Sequence, residues 1–241
     1  MTESPPITLR YFDCRGRAQA LRYYLRCRNI AFIDTRISLK EGFAAWQAVK
    51  HDQRLTGPFL KLPVLHLGEV QLAETAVIHD WLHRKLGDAA LLSEQENLQH
   101  AMLASSCRSE LMTPTAMLLW QEMMYPGTDM AATLPVSLKR INDHLQTVEN
   151  ALNQWQWFQK LQKRPVMLAD CLLWEELDKV HGIFGEHVQW QSMPLLREFL
   201  HNGKGSEVFR RTLSEHPSQM TGRPQEAEAL ARIRTALQLI K

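Results

Sequence analysis

The apolar residues of this chain change their spacing once, between Gly87 and Leu92, and never change back. Before that stretch, short β-branched and aromatic runs alternate with runs spaced by three and four. After it, only helical spacing recurs. A chain patterned this way folds as an α/β unit followed by an all-α unit. Its 241 residues are comfortable for two domains, and 45% apolar content allows each to bury a core. The expected division is residues 1–87 and residues 92–241.

Within the first part, Ile7 to Phe12 follows Pro5 and Pro6 and reads as a strand. Ala18, Leu21, Tyr24 and Leu25 mark one helix face, with Asn29 as a stop. Ile30 to Ile37 alternates like a second strand, which a βαβ connection makes parallel to the first. Lys40 to Lys50 is a short helical candidate, and His51 to Pro58 reads as loop. Leu62 to Leu67 and Val70 to Leu72 form a hairpin around Gly68. Glu74 to Leu86 is helical, with Ala76, Val77, Trp81 and Leu82 expected inside and Gly87 as its stop.

The second part reads as one long helix from Glu94 to Tyr125, bent at Pro114, then Leu134 to Gln159 and Val166 to Phe184. Shorter helices follow over Pro194 to His201 and Ser206 to Ser214. Pro217 to Pro224 is loop, and Gln225 to Ile240 is a last amphipathic helix.

A net charge of +2 without a run of basic residues does not suggest nucleic acid as a partner. Cys14, Cys27, Cys107 and Cys171 lack zinc-ligand spacing and are too few for a disulfide scaffold. They read as free thiols in a reducing, cytoplasmic compartment. The N-terminus lacks a secretory pattern, and no apolar run is long enough to span a membrane. His79 and His83 stand four apart, but Asp80 replaces the Glu of a zinc protease and no third ligand is evident. They read as a solvated helix face, and no metal site is expected.

Two stretches carry a family resemblance. Tyr11-Phe12-Asp13-Cys14-Arg15-Gly16-Arg17-Ala18, followed by Leu21-Arg22, resembles the first strand and helix of the tyrosine-type glutathione transferases. Leu62-Pro63-Val64-Leu65 and Leu72-Ala73-Glu74-Thr75-Ala76-Val77-Ile78 resemble their glutathione-backbone motif. Trp46 and Lys50 stand four apart, as in several of those classes. The resemblance covers most of residues 7–87, with a sigma-like class favoured, and beyond them rests on helix count and Asp170. It implies a thioredoxin-like βαβ–ββα domain followed by an all-helical domain. It also implies glutathione as co-substrate with no cofactor, an apolar electrophilic small molecule as second substrate, and a homodimer.

The resemblance carries roles onto particular residues. Glutathione reacts as a thiolate, yet a cysteine thiol has a pKa of about 8.5. A phenol at Tyr11 would donate to the sulfur and stabilise the charge; a shift of one to two units needs about 1.4–2.7 kcal/mol, within reach of a charge-assisted hydrogen bond. Pro63, cis in the resembled family, would present the backbone of Leu62 to the cysteinyl part of glutathione. Glu74 and Thr75 open a helix whose N-terminus would take the γ-glutamyl carboxylate, with Glu74 accepting from the ammonium. Trp46, Lys50 and Lys61 would hold the glycine carboxylate. Arg15 and Arg17 flank Gly16 as electrostatic or structural support. Met112 and Tyr125 would line an adaptable second-substrate pocket, as would neighbouring methionines.

Three positions depart from the family pattern. Lys61 stands where many relatives have glutamine. Leu103-Ala104-Ser105-Ser106-Cys107 lacks the acid that reaches across the dimer. Met167 replaces the Ser or Thr cap three before Asp170, leaving Asp170 to bond the backbone of the preceding turn. Other readings of the same residues are a non-catalytic glutathione-fold scaffold and a glutathione-dependent isomerase or peroxidase. A cysteine mechanism at Cys14 is a further alternative, although families of that type place the cysteine nearer Gly16.

Overall fold

The structure is a computed structural model that describes residues 5–127, 130–215 and 218–240. Pro217 and Lys241 lie outside the described residues, as do the first four residues of the N-terminus. Four strands form one sheet: β1 (Ile7–Phe12), β2 (Phe32–Ile37), β3 (Val64–Leu67) and β4 (Val70–Ala73), in the order β2-β1-β3-β4. β1 runs parallel to β2 and antiparallel to β3, and β3 pairs with β4 as a hairpin. The expected βαβ–ββα order is therefore present, and β1 lies inside the sheet with partners on both edges. Alternation along β1 buries Ile7, Leu9 and Tyr11 on one side.

The short helices of this part are α1 (Gln19–Cys27), α2 (Ala44–Val49), α3 (Gln53–Thr56) and α4 (Thr75–Lys85). α2 begins later than its apolar spacing suggested, and α3 occupies part of the expected loop. Asp52 starts α3 by accepting the Arg54 N–H at 3.0 Å. The inner face of α4 differs from expectation. Thr75, Ile78, His79, Leu82 and His83 are buried, whereas Val77 is half exposed and Ala76 is exposed. Both sides of α4 carry apolar residues, so period alone left its orientation open. The two histidines form part of a buried stripe, not a solvated face.

Helices in the rest of the chain are α5 (Glu94–Ser106), α6 (Thr113–Met124), α7 (Met130–Gln154), α8 (Trp157–Leu161), α9 (Leu168–Phe184), α10 (Pro194–Gly205), α11 (Glu207–Glu215) and α12 (Pro224–Leu237). The long helix expected from Glu94 is interrupted by a π turn at Cys107–Met112, where the Thr113 N–H reaches back five residues to the Arg108 carbonyl. Pro114 has no N–H to continue the ordinary ladder, and the wider turn accommodates it. The second long helix also ends earlier than expected. Gln156 takes a left-handed φ of 53° and separates α7 from α8.

By packing, the chain forms two compact units. The first runs up to Ser93 and takes in Val166–Cys171 and Glu207–Arg223; the second comprises Glu94–Pro165, Leu172–Ser206 and the chain from Pro224 onward. In the first unit Leu9, Leu21, Leu25, Leu65, Ile78 and Leu82 are fully buried. α11 packs along α1: the rings of Tyr23 and Phe209 lie 4.7 Å apart, and Arg26 bonds the Thr212 hydroxyl at 3.0 Å and Glu215 at 2.6 Å. Asp170 accepts the Met167 N–H at 2.8 Å, so it caps the first turn of α9 despite the missing hydroxyl at Met167.

The second unit buries Leu134, Leu145, Leu152, Leu177 and Ile233 completely. α12 is held by Arg232, which donates to the buried Glu122 carboxylate at 2.5 Å and to its carbonyl at 3.1 Å. Gly203 lets α10 approach Trp174 so closely that a Cβ there would meet the indole Nε1 at 1.6 Å. That nitrogen donates to the Leu200 carbonyl at 3.2 Å. Among the described residues, no helix is long and apolar enough to cross a membrane.

Candidate active site

The site grows from the turn between β1 and α1. Tyr11 ends the buried face of β1 and is 6% exposed. Its phenol oxygen accepts the Arg17 N–H at 3.0 Å. The ring rests over Gly16, which has φ +42°; a Cβ there would stand 2.3 Å from the Tyr11 oxygen. Glycine is thus demanded twice, by the left-handed backbone and by the close approach.

Arg22 fixes this turn from below; the resemblance includes Arg22 in its first stretch but assigns it no role. The side chain is fully buried. Its Nε pairs with Asp34 at 3.1 Å, Nη1 donates to the Cys14 carbonyl at 2.7 Å, and Nη2 donates to the Phe12 carbonyl at 3.3 Å. The guanidinium lies 5.9 Å from the centre of the Tyr11 ring. A charged residue on a helix normally implies a solvated face; here a carboxylate and two backbone carbonyls satisfy it.

A second support also escaped the sequence reading. The carbonyls of Ser218 and Gln219 accept the N–H groups of Arg15 and Gly16 at 2.8 and 2.9 Å. These acceptors come from a stretch that reads only as a polar loop.

Beside the turn lies a cavity of about 300 Å3 lined by Arg17, Lys61, Leu62, Pro63, Glu74 and Thr75. Six residues singled out by sequence therefore meet at one place. The Leu62–Pro63 peptide is cis. Glu74 has φ +68° and ψ 118°, an uncommon backbone for a residue with a side chain, and it immediately precedes α4. Thr75 is the buried first residue of that helix. The cavity thus combines two cationic side chains, one carboxylate and a helix N-terminus. Such a set suits a small zwitterion carrying carboxylates and an ammonium.

The other expected residues sit elsewhere. Trp46 packs edge-on against Phe12 with ring centres 5.4 Å apart, and Lys50 follows the end of α2, where its carbonyl accepts the Thr56 hydroxyl at 3.0 Å. Neither belongs to the cavity lining. Arg15 is 4% exposed, beneath the turn and not at its surface. Cys14 is also buried. In the second unit, Met112 is buried and Tyr125 is 70% exposed.

No family model matches the chain. Among curated proteins, it is 33% identical over 92 residues to glutathione S-transferase 4 of Caenorhabditis elegans, covering 38% of this chain and 41% of that one. It is 29% identical over 191 residues to glutathione S-transferase 2 of Onchocerca volvulus, covering 79% and 84% of the two chains. Among solved structures, the glutathione S-transferase of Ascaris lumbricoides superposes with a TM-score of 0.66 at 20% identity, covering 89% of this chain and 99% of that one. The pi-class enzyme of Onchocerca volvulus gives 0.55 at 23% identity over 95% and 94%. A monomeric glutathione S-transferase of the hookworm Necator americanus gives 0.67 at 16% identity over 89% and 99%.

Proposed function

We propose that this chain, a member of the glutathione S-transferase family, binds glutathione in the cavity beside β1 and joins its sulfur to an apolar electrophile. The observation that carries the reading is the meeting of Arg17, Lys61, Leu62, Pro63, Glu74 and Thr75 around one cavity whose Arg17 N–H is bonded to the Tyr11 phenol.

In this reading the cationic side chains of Arg17 and Lys61 take carboxylates of the tripeptide, and the α4 N-terminus takes the γ-glutamyl carboxylate with help from the Thr75 hydroxyl. Glu74 accepts from the ammonium. Trp46 and Lys50 approach the glycine end from α2. Tyr11 donates its O–H to the thiolate. The N–H bond it accepts from Arg17 polarises that O–H and strengthens it as a donor. The thiolate then attacks the electrophilic carbon by substitution or addition, and glutathione is the co-substrate. Met112 and Tyr125 contribute to recognition of the apolar partner, and the chain works in the cytoplasm, in detoxification, as a homodimer.

The test pairs calorimetry of glutathione binding with conjugation of 1-chloro-2,4-dinitrobenzene. Wild-type protein should bind and turn over. Tyr11→Phe should retain binding and lose about 10–1,000-fold in turnover, the range for removing one oxyanion-type donor or weaker. Unchanged turnover in Tyr11→Phe would remove the phenol from the mechanism. Binding without turnover in the wild type would favour the scaffold reading.

A further inference from the structure

Glu215 closes α11, and two arginines from other elements meet on its carboxylate. Arg26 of α1 donates to it at 2.6 Å and to the Thr212 hydroxyl at 3.0 Å, and Arg36 of β2 donates to it at 3.4 Å. Arg36 also reaches Asp34 at 3.0 Å, and Asp34 is the partner of Arg22, whose other donors hold the Phe12 and Cys14 carbonyls. A second route runs through the fully buried Gln19: its amide N–H donates to the Thr212 carbonyl and its oxygen accepts from Arg22, each at 3.4 Å. An isolated ion pair as exposed as these holds little, but several charges sharing one carboxylate hold a network in one geometry.

Three and four positions past Glu215 come Ser218 and Gln219, whose carbonyls accept the Arg15 and Gly16 N–H groups at 2.8 and 2.9 Å. The next N–H along the turn is that of Arg17, the one bonded to the Tyr11 oxygen at 3.0 Å. A peptide is planar, so the direction of that N–H is set by the φ and ψ of Gly16. Glu215 is not part of the cavity lining.

We propose that Glu215 is a positioning residue for the thiolate-stabilising step: by tying α11 to α1 and β2 it holds the Ser218 and Gln219 carbonyls against the β1–α1 turn, and so keeps the Arg17 N–H on the Tyr11 oxygen. This rests on the reading that Tyr11 donates to the glutathione sulfur. Two effects of removing the Glu215 charge have opposite signs. Taking a negative charge from the neighbourhood favours the thiolate and lowers the thiol pKa, and salt screens that effect. Loosening the brace weakens the Tyr11 donor and raises the thiol pKa.

The experiment uses the full chain with glutathione bound and follows the ultraviolet absorbance of the thiolate against pH, with binding checked by calorimetry. Tyr11→Phe should raise the pKa of the bound thiol by about one to two units. Glu215→Gln should still bind glutathione and raise that pKa by about half a unit, which is about threefold less thiolate at a pH below it. Arg211→Gln removes a neighbour of Glu215 at 3.7 Å that belongs to α11 itself, and should shift nothing. An unchanged or lowered pKa in Glu215→Gln, beside a raised one in Tyr11→Phe, overturns the assignment, as does an equal rise in Arg211→Gln. Should the wild type bind no glutathione, or Tyr11→Phe leave the pKa unchanged, the transferase reading fails first and Glu215 has no step to serve. If Glu215→Gln does not fold, Arg26→Gln cuts the same tie between α1 and α11 from the other side and carries the same expectation and the same refutation.

Discussion

Replacing Arg22 by Met keeps much of the side-chain volume and removes the charge that holds the β1–α1 turn. The structure shows what is lost: the pair to Asp34 at 3.1 Å and donors to the Cys14 and Phe12 carbonyls at 2.7 and 3.3 Å. Removing one partner of a buried ion pair costs about 3–5 kcal/mol, because the other charge is left uncompensated. Asp34 keeps a contact with the half-exposed Arg36 at 3.0 Å, which argues for the lower part of that range. In a chain of this size each kcal/mol moves the thermal midpoint by about 2–4 °C, so a fall of roughly 6–15 °C is expected. Thermal and urea unfolding would measure it. Conjugation should fall with it, since Tyr11 loses its support. The pair Arg22→Met with Asp34→Leu should cost less than the sum of the single changes, as a shared interaction requires. A loss below about 1 kcal/mol, the size of an exposed ion pair, would refute the reasoning.

Gly16→Ala places a methyl 2.3 Å from the Tyr11 oxygen at a left-handed backbone position, so conjugation should collapse while circular dichroism stays close to wild type; full activity would sink the account of how Tyr11 is placed. Gly203→Ala drives a Cβ to 1.6 Å from Trp174 Nε1 and should destabilise by about 3 kcal/mol, read by urea unfolding followed by circular dichroism. Burial holds His66, His144 and His181 below the ordinary histidine pKa. The unfolded chain therefore binds their protons first, and stability present above about pH 6.5 is lost as the pH falls below it. His144 bonds Ser106 at 2.9 Å beside Glu110 and Arg140; His144→Gln should flatten the fall in midpoint between about pH 7 and 5, and an unchanged slope would exclude His144 as a source.

The order of strands and helices was legible because each element of the first part carries its own period and punctuation. Gly68 marks the hairpin and Pro63 the turn before β3. The cavity residues were legible through the resemblance, which kept Lys61, Glu74 and Thr75 together although they are separate in sequence. Arg22 was not, since its burial depends on Asp34 arriving from another strand. Nor was the inner face of α4, where hydrophobicity alone favours Val77 while the fold buries His79 and His83. The π turn at Cys107–Met112 has only Pro114 as a signal, and proline announces a disruption without its form.

The first unit has a consequence for how the protein is made. Its partners for Tyr23, Arg15 and Gly16 come from Phe209, Ser218 and Gln219, which are 186 residues later for Tyr23 and 203 for each of the others. A ribosome delivers the sheet and α1 early, but the amides beneath Tyr11 wait for almost the whole chain to emerge. Domains usually settle in the order they are synthesised. Here the earliest segment to appear is among the last to be finished, and translation arrested before residue 207 would leave a nascent chain whose β1–α1 turn has its Arg22 bonds but not the Ser218 and Gln219 carbonyls.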